Sequence, residues 1–200
     1  MTARIVLPAM TPPDTVSVVS FVLTIAVVSL LIIWAVAQAG GPDEPTNLKA
    51  RWTRGAGFAI GIWLFLGAVL PMSRILEFDT MPPPALYFLG FIVVTMVALS
   101  CSSVGRRLAA LPLVALISFH AFRLPLELIL HNWYEAGTIP VQMTYSGHNL
   151  DIATGILATG IGLLGSVVQV PRLVAWLFDL AGLGLWITVV AIAVMSAPGP

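Results

Sequence analysis

The chain of 200 residues is 58% hydrophobic and only 9% charged, far from the roughly 25% charged content of a soluble domain. Its nine basic and nine acidic residues cancel, which excludes the basic excess that a nucleic-acid partner requires. A mean hydropathy of +0.99 and repeated apolar runs of about 20 residues define an all-α, polytopic membrane protein whose first partner is the lipid bilayer.

The patterning predicts one membrane domain over residues 1–200 with six spans, at about 15–39, 55–76, 84–101, 108–130, 150–170 and 172–196. The first opens after Thr11-Pro12-Pro13-Asp14, where Asp14 suits the N-cap, and Gly40-Gly41-Pro42 ends it. It is longer than the apolar core of a cleaved signal peptide and has little of the basic leading segment. The run Met81-Pro82-Pro83-Pro84 divides spans two and three, Gly105-Arg106-Arg107 divides three and four, and Gln169-Val170-Pro171-Arg172 makes a short hairpin between five and six. Cys101 has no partner for an internal disulfide and reads as a small apolar residue at a helix end.

Basic residues set the orientation. With the N-terminus outside, the inner loops hold Lys49, Arg51, Arg54, Arg106, Arg107 and Arg172, whereas the outer segments hold only Arg4 and Arg74. An N-out, C-out topology follows from that excess. Trp52 and Trp176 then fall at the inner interface, and Tyr87, Trp133 and Tyr134 at the outer one. Asp14, Glu77, Asp79 and Glu135 also fall outside. A bacterial-type plasma membrane is the expected location. No internal repeat of the inverted-transporter kind relates spans one to three to spans four to six.

Span four breaks the apolar pattern. It carries His120, Arg123 and Glu127, and a helical wheel places Arg123, Glu127, His131 and Tyr134 within roughly 60° of His120. Ionisable groups at membrane depth are costly and mark ion pathways, relays or ligand sites. Helical side chains lean toward the N-terminal end, so Arg123 cannot reach the outer surface and needs a local anion, either Glu127 or Asp151. Pro125 frees the carbonyl of Ala121 beside this stripe and predicts a kink that opens a polar pocket or admits water.

The 131–149 segment between spans four and five has no Lys or Arg yet is dense in hydrogen-bonding side chains, and its apolar residues predict a structured outer loop. Glu127 with His131, and His148 with Asp151, bracket it at spacings of four and three. Two imidazoles and two carboxylates suit a transition metal or acid–base catalysis, with Tyr134, Gln142 and Asn149 orienting the imidazoles. A non-covalent haem held between His131 and His148 is the other cofactor that this spacing allows, because covalent attachment lacks its Cys-x-x-Cys-His motif. Ser118 and Ser146 sit in no nucleophile elbow. The glycines of span five, from Gly155 to Gly165, predict close helix packing. Asp179, about 10 Å into span six, is expected to pair with Arg172 or to be hydrated.

The leading expectation is a protein that binds or moves a small ligand or ion through an outward-facing polar pocket between spans four and five. Its lining would be His120, Arg123, Glu127, Tyr134, Gln142, Asn149 and Asp151. The second reading is a membrane enzyme acting on a lipid or isoprenoid substrate, with Glu127, His131, His148 and Asp151 as catalytic or metal-binding groups. The third is an accessory subunit of a membrane complex or homo-oligomer, whose charged stripe fixes helix register.

Overall fold

The computed structural model describes residues 11–73, 84–147 and 149–195. Arg4, Arg74, Glu77, Asp79, Met81 to Pro83 and His148 lie outside the described residues, so nothing predicted for them is placed. The described chain is helical, with no strand among the described residues. In order the helices are α1 (Thr15–Gln38), α2 (Thr46–Met72), α3 (Pro84–Cys101), α4 (Ser103–Leu108), α5 (Leu113–Phe119), α6 (Arg123–Glu135), α7 (Asp151–Gly165) and α8 (Arg172–Met195). Single 3-10 turns occupy His120–Phe122 and Val141–Met143.

Four stretches are long and apolar enough to cross a membrane: α1, most of α2, the Leu113–Glu135 run formed by α5 and α6, and α8. The apolar helix α7 has 15 residues, about 22 Å, against a hydrocarbon core of about 30 Å. The outward faces agree with this reading, since Leu23, Leu30, Trp34, Phe58, Phe65, Val94, Leu163, Trp176 and Leu180 are all exposed. Water would penalise such a surface and lipid does not.

Four boundaries differ from those read in the sequence, one of them the end of the fifth span, where α7 stops at Gly165 and not at 170. Helix α2 begins at Thr46 rather than near 55, because Leu48, Lys49, Ala50 and Arg51 are good helix formers whatever their polarity. The fourth apolar run is displaced toward the C-terminus, to 113–135 instead of 108–130. Pro112 disfavours helix at Leu111 and opens a new helix at Leu113, while His131 to Glu135 extend the far end. The stretch expected to be loop from 131 is therefore helical through Glu135. Arg123 becomes the eleventh residue of this 23-residue run, about 15 Å along a length of about 34 Å, so the shift moves it to the middle.

Asp14 caps α1 as the sequence implies, accepting from the Ser17 N–H at 3.0 Å. Each end of α1 is then tied to the later chain. At its start, the Trp133 indole N–H donates to Ser17 Oγ at 2.8 Å, Asn132 donates to Asp14 at 3.2 Å, and the Phe21 and Trp133 rings meet at 5.0 Å. At its far end, Arg107 donates from Nε to the Val36 carbonyl at 2.9 Å and grips Glu44 with both terminal nitrogens at 2.6 and 2.5 Å. The guanidinium also lies 5.0 Å from the centre of the Trp52 ring. These Arg107 bonds hold the Glu44 carboxyl below its ordinary range, because a bidentate guanidinium favours the ionised form.

Helix α7 packs along the broken α5–α6 run, which in turn packs on α1 and α8. The interface is small on the α7 side. Gly155, Ala158, Gly162 and Gly165, at helical spacings of three, four and three, face Leu124, Ser118 and Val114. At Gly155 the approach is backbone to backbone, with an added Cβ falling 2.5 Å from the Leu124 nitrogen. The buried core beside it joins Ile117, Ala158, Ala175 and Phe178. Small-residue interfaces of this kind replace the hydrophobic drive that lipid removes.

Candidate functional site

The site begins with a helix that cannot stay regular. Pro125 has no N–H for the Ala121 carbonyl, and the ladder tightens to a 3-10 turn at His120–Phe122, where the Arg123 N–H reaches back to His120. This break swings Arg123 to the first position of α6, opposite Asp151, the first position of α7. Close approach at Gly155, one turn further along α7, brings the two helix starts together.

Arg123 Nη1 donates to Asp151 Oδ2, and both side chains are largely buried. Of the two carboxylates able to hold Arg123, Asp151 takes the role. Glu127, a turn along α6, is the largest fully buried side chain, at 2% exposure. Its Oε1 accepts from Asn149 Nδ2 at 2.8 Å. The same Asn149 amide donates to the Met143 carbonyl at 3.2 Å and accepts the Asp151 backbone N–H at 3.2 Å. Asn149 thus braces Glu127, the 3-10 turn at 141–143 and the start of α7 with one planar group. Thr144, also fully buried, closes that turn through its hydroxyl to Val141 at 3.0 Å. Sequence reasoning missed Thr144; it placed Asn149 in the pocket lining but gave it the imidazoles as partners. No periodic signal marks a residue inside an irregular loop.

His120 lies against Phe119 and Phe178, with ring centres 6.1 and 5.4 Å away. Arg123, Asp151 and Asp179 are the charges acting on it. Asp179 itself is exposed and lines a groove with Arg172, Leu113 and Trp176.

Four buried side-chain atoms among the described residues have no hydrogen-bond partner: His120 Nδ1, Arg123 Nε, Glu127 Oε2 and Asp151 Oδ1. All four belong to the charged group at the α6 and α7 starts. Buried polar atoms are nearly always paired, so each orphan calls for water, an ion or a ligand.

The outer part of the predicted cluster is arranged differently. His131 stacks on Tyr145 at 4.4 Å, with Nδ1 at 3.2 Å from Ser146 Oγ and Nε2 at 3.4 Å from Glu135. Both its nitrogens are thereby engaged away from Glu127 and Asp151. Tyr134 and Gln142 are exposed, with Tyr134 beside His131 at 5.9 Å. Among the described residues no group of three or more His, Cys, Asp or Glu side chains is placed to hold a metal ion. His148, the second imidazole of the metal and haem readings, lies outside the described residues.

Comparison with protein-family models, with curated proteins and with solved structures finds no match to this chain. Its functional reading rests on the geometry of this group.

Proposed function

We propose that this is a multi-pass membrane protein that binds or moves a small polar ligand or ion in a pocket formed by His120, Arg123, Glu127, Asn149 and Asp151. The observation that carries the reading is the set of four orphaned polar atoms on four side chains that converge where α6 and α7 begin. A stripe that served only helix register would close on itself, as the Arg107–Glu44 clamp does. In the proposed arrangement the four long apolar stretches and the shorter α3 and α7 make six spans. The basic loops face the cytoplasm of a bacterial-type cell, and the 136–150 loop covers the pocket from outside. The enzyme reading draws on one feature, an apolar groove of about 400 Å³ between α7 and α8 lined by Thr154, Leu157, Phe178 and Ala181. Phe178 lines that groove and meets the His120 ring edge-on at 5.4 Å, and the orphaned groups favour the ligand reading.

Thiol labelling tests this directly. In a Cys101→Ser background, Gln142→Cys should react with a small membrane-impermeant thiosulfonate added from outside only. Asn149→Cys, buried in the fold, should react from the same side at a slower rate. An inert cysteine at 149 beside a reactive one at 142 would mean a sealed stripe and a scaffold. Reaction at 142 from the cytoplasmic side alone would reverse the topology.

A further inference from the structure

The identity of the ion follows from a charge count at the same pocket, and this inference rests on the ligand reading above. Arg123 brings one positive charge and is taken by Asp151. Glu127 brings a second carboxylate, 2% exposed, with no cation bonded to it among the described residues. The charged groups around it are Arg123 on its own helix and Asp151 on α7. The loop offers the neutral amide of Asn149. Helix α1 offers only Asp14, bonded to Ser17 and Asn132 at the far end of α6. On α8, Asp179 acts on His120. Among the described residues the group is one positive charge short, and what lacks partners in it includes two carboxylate oxygens, Glu127 Oε2 and Asp151 Oδ1.

A proton on Glu127 removes the uncompensated negative charge and one orphaned acceptor, and a water beside it serves the other. A metal cation fits less well, because it would sit beside a guanidinium and lacks a third anionic ligand among the described residues. Water alone satisfies the acceptors but leaves the charge, which is expensive in a low-dielectric surround.

We propose that Glu127 carries an exchangeable proton on Oε2, the carboxylate oxygen that no protein group engages, and that the ion this pocket handles is therefore a proton. Loading forms an O–H bond from a carboxylate lone pair and a proton of the outer aqueous phase, and release reverses it. Asn149 is the positioning residue, holding Oε1 by its amide N–H and leaving Oε2 open to load. His120 Nδ1, the remaining orphan able to accept a proton, is the next station inward along the stripe, in the manner of carboxylate and imidazole relays in membrane proteins.

Infrared difference spectroscopy of the full chain in lipid nanodiscs, taken between acidic and alkaline buffer, tests the assignment. The expected result is a carbonyl band of a protonated carboxylic acid that shifts in D₂O, shifts again on ¹³C labelling of glutamate, and is lost in Glu127→Gln. Isotope labelling keeps the wild-type sequence, so the result does not hang on the variant folding. Absence of any glutamate-derived band, or its persistence in Glu127→Gln, overturns the proposal. An accessible cysteine at 149 without a Glu127 band would leave the pocket standing and remove the proton. A Glu127 band that stays unshifted in D₂O would contradict an exchangeable proton.

Discussion

Replacing Arg123 by alanine is expected to cost about 3–5 kcal/mol of stability, the range found when one member of a buried ion pair is removed. The Arg123 and Asp151 side chains retain only 17% and 16% of their exposure, so solvent screens the pair little. The loss would be felt as an uncompensated Asp151 beside a Glu127 that already lacks a cation. Asp151→Asn should cost less, because it leaves a neutral amide able to accept from Arg123. Replacing both partners together by leucine should recover much of the loss, since the pair is expensive to desolvate and costly mainly when broken. Denaturant titration in detergent micelles, run as a double-mutant cycle, reads all these values. A wild-type midpoint in Arg123→Ala would show that the guanidinium is not held within the bundle.

The second large effect is expected at Gly155. An added Cβ meets the Leu124 nitrogen at 2.5 Å and the Leu124 Cα at 3.0 Å, and these are backbone atoms that cannot rotate away. Gly155→Ala should therefore destabilise by about 1–3 kcal/mol, the usual cost of overpacking, despite the better helix propensity of alanine. Gly160 is the matched control, on the same helix with nothing within 4 Å of its added Cβ. Gly160→Ala should be neutral or stabilising by up to about 1 kcal/mol. Equal effects at the two positions would contradict the close approach that brings the starts of α6 and α7 together.

How much of this was legible in the sequence depends on which physical signal each element leaves. Asp14 as the cap of α1 was readable, because a short-range hydrogen bond leaves a local signature. So was the need of Arg123 for an anion, since a guanidinium within an apolar run has few ways to be satisfied. The choice of Asp151 over Glu127 was not readable. It depends on the 3-10 turn that Pro125 allows and on the backbone contact at Gly155, and both are tertiary matters. The shift of the fourth apolar run from 108–130 to 113–135 shows the limit of hydropathy, which sums polarity and is blind to helix starts at proline. His131 illustrates the opposite failure. Spacing of four to Glu127 puts it on the same face, yet its ring turns to Tyr145, Ser146 and Glu135, because a helix face is wider than a hydrogen bond. Asn149 and Thr144 sit in irregular backbone, where no period exists to be read.

The central claim is that the group of His120, Arg123, Glu127 and Asp151 is a working pocket and not a closed structural stripe. Its most direct test is an experimental density map of the protein in lipid, at a resolution that shows ordered water. Density is expected in contact with Glu127 Oε2 and Asp151 Oδ1, from water or a small ligand, continuing toward His120 Nδ1. A dry group, with all four atoms paired to protein donors and acceptors and no density between them, would contradict it.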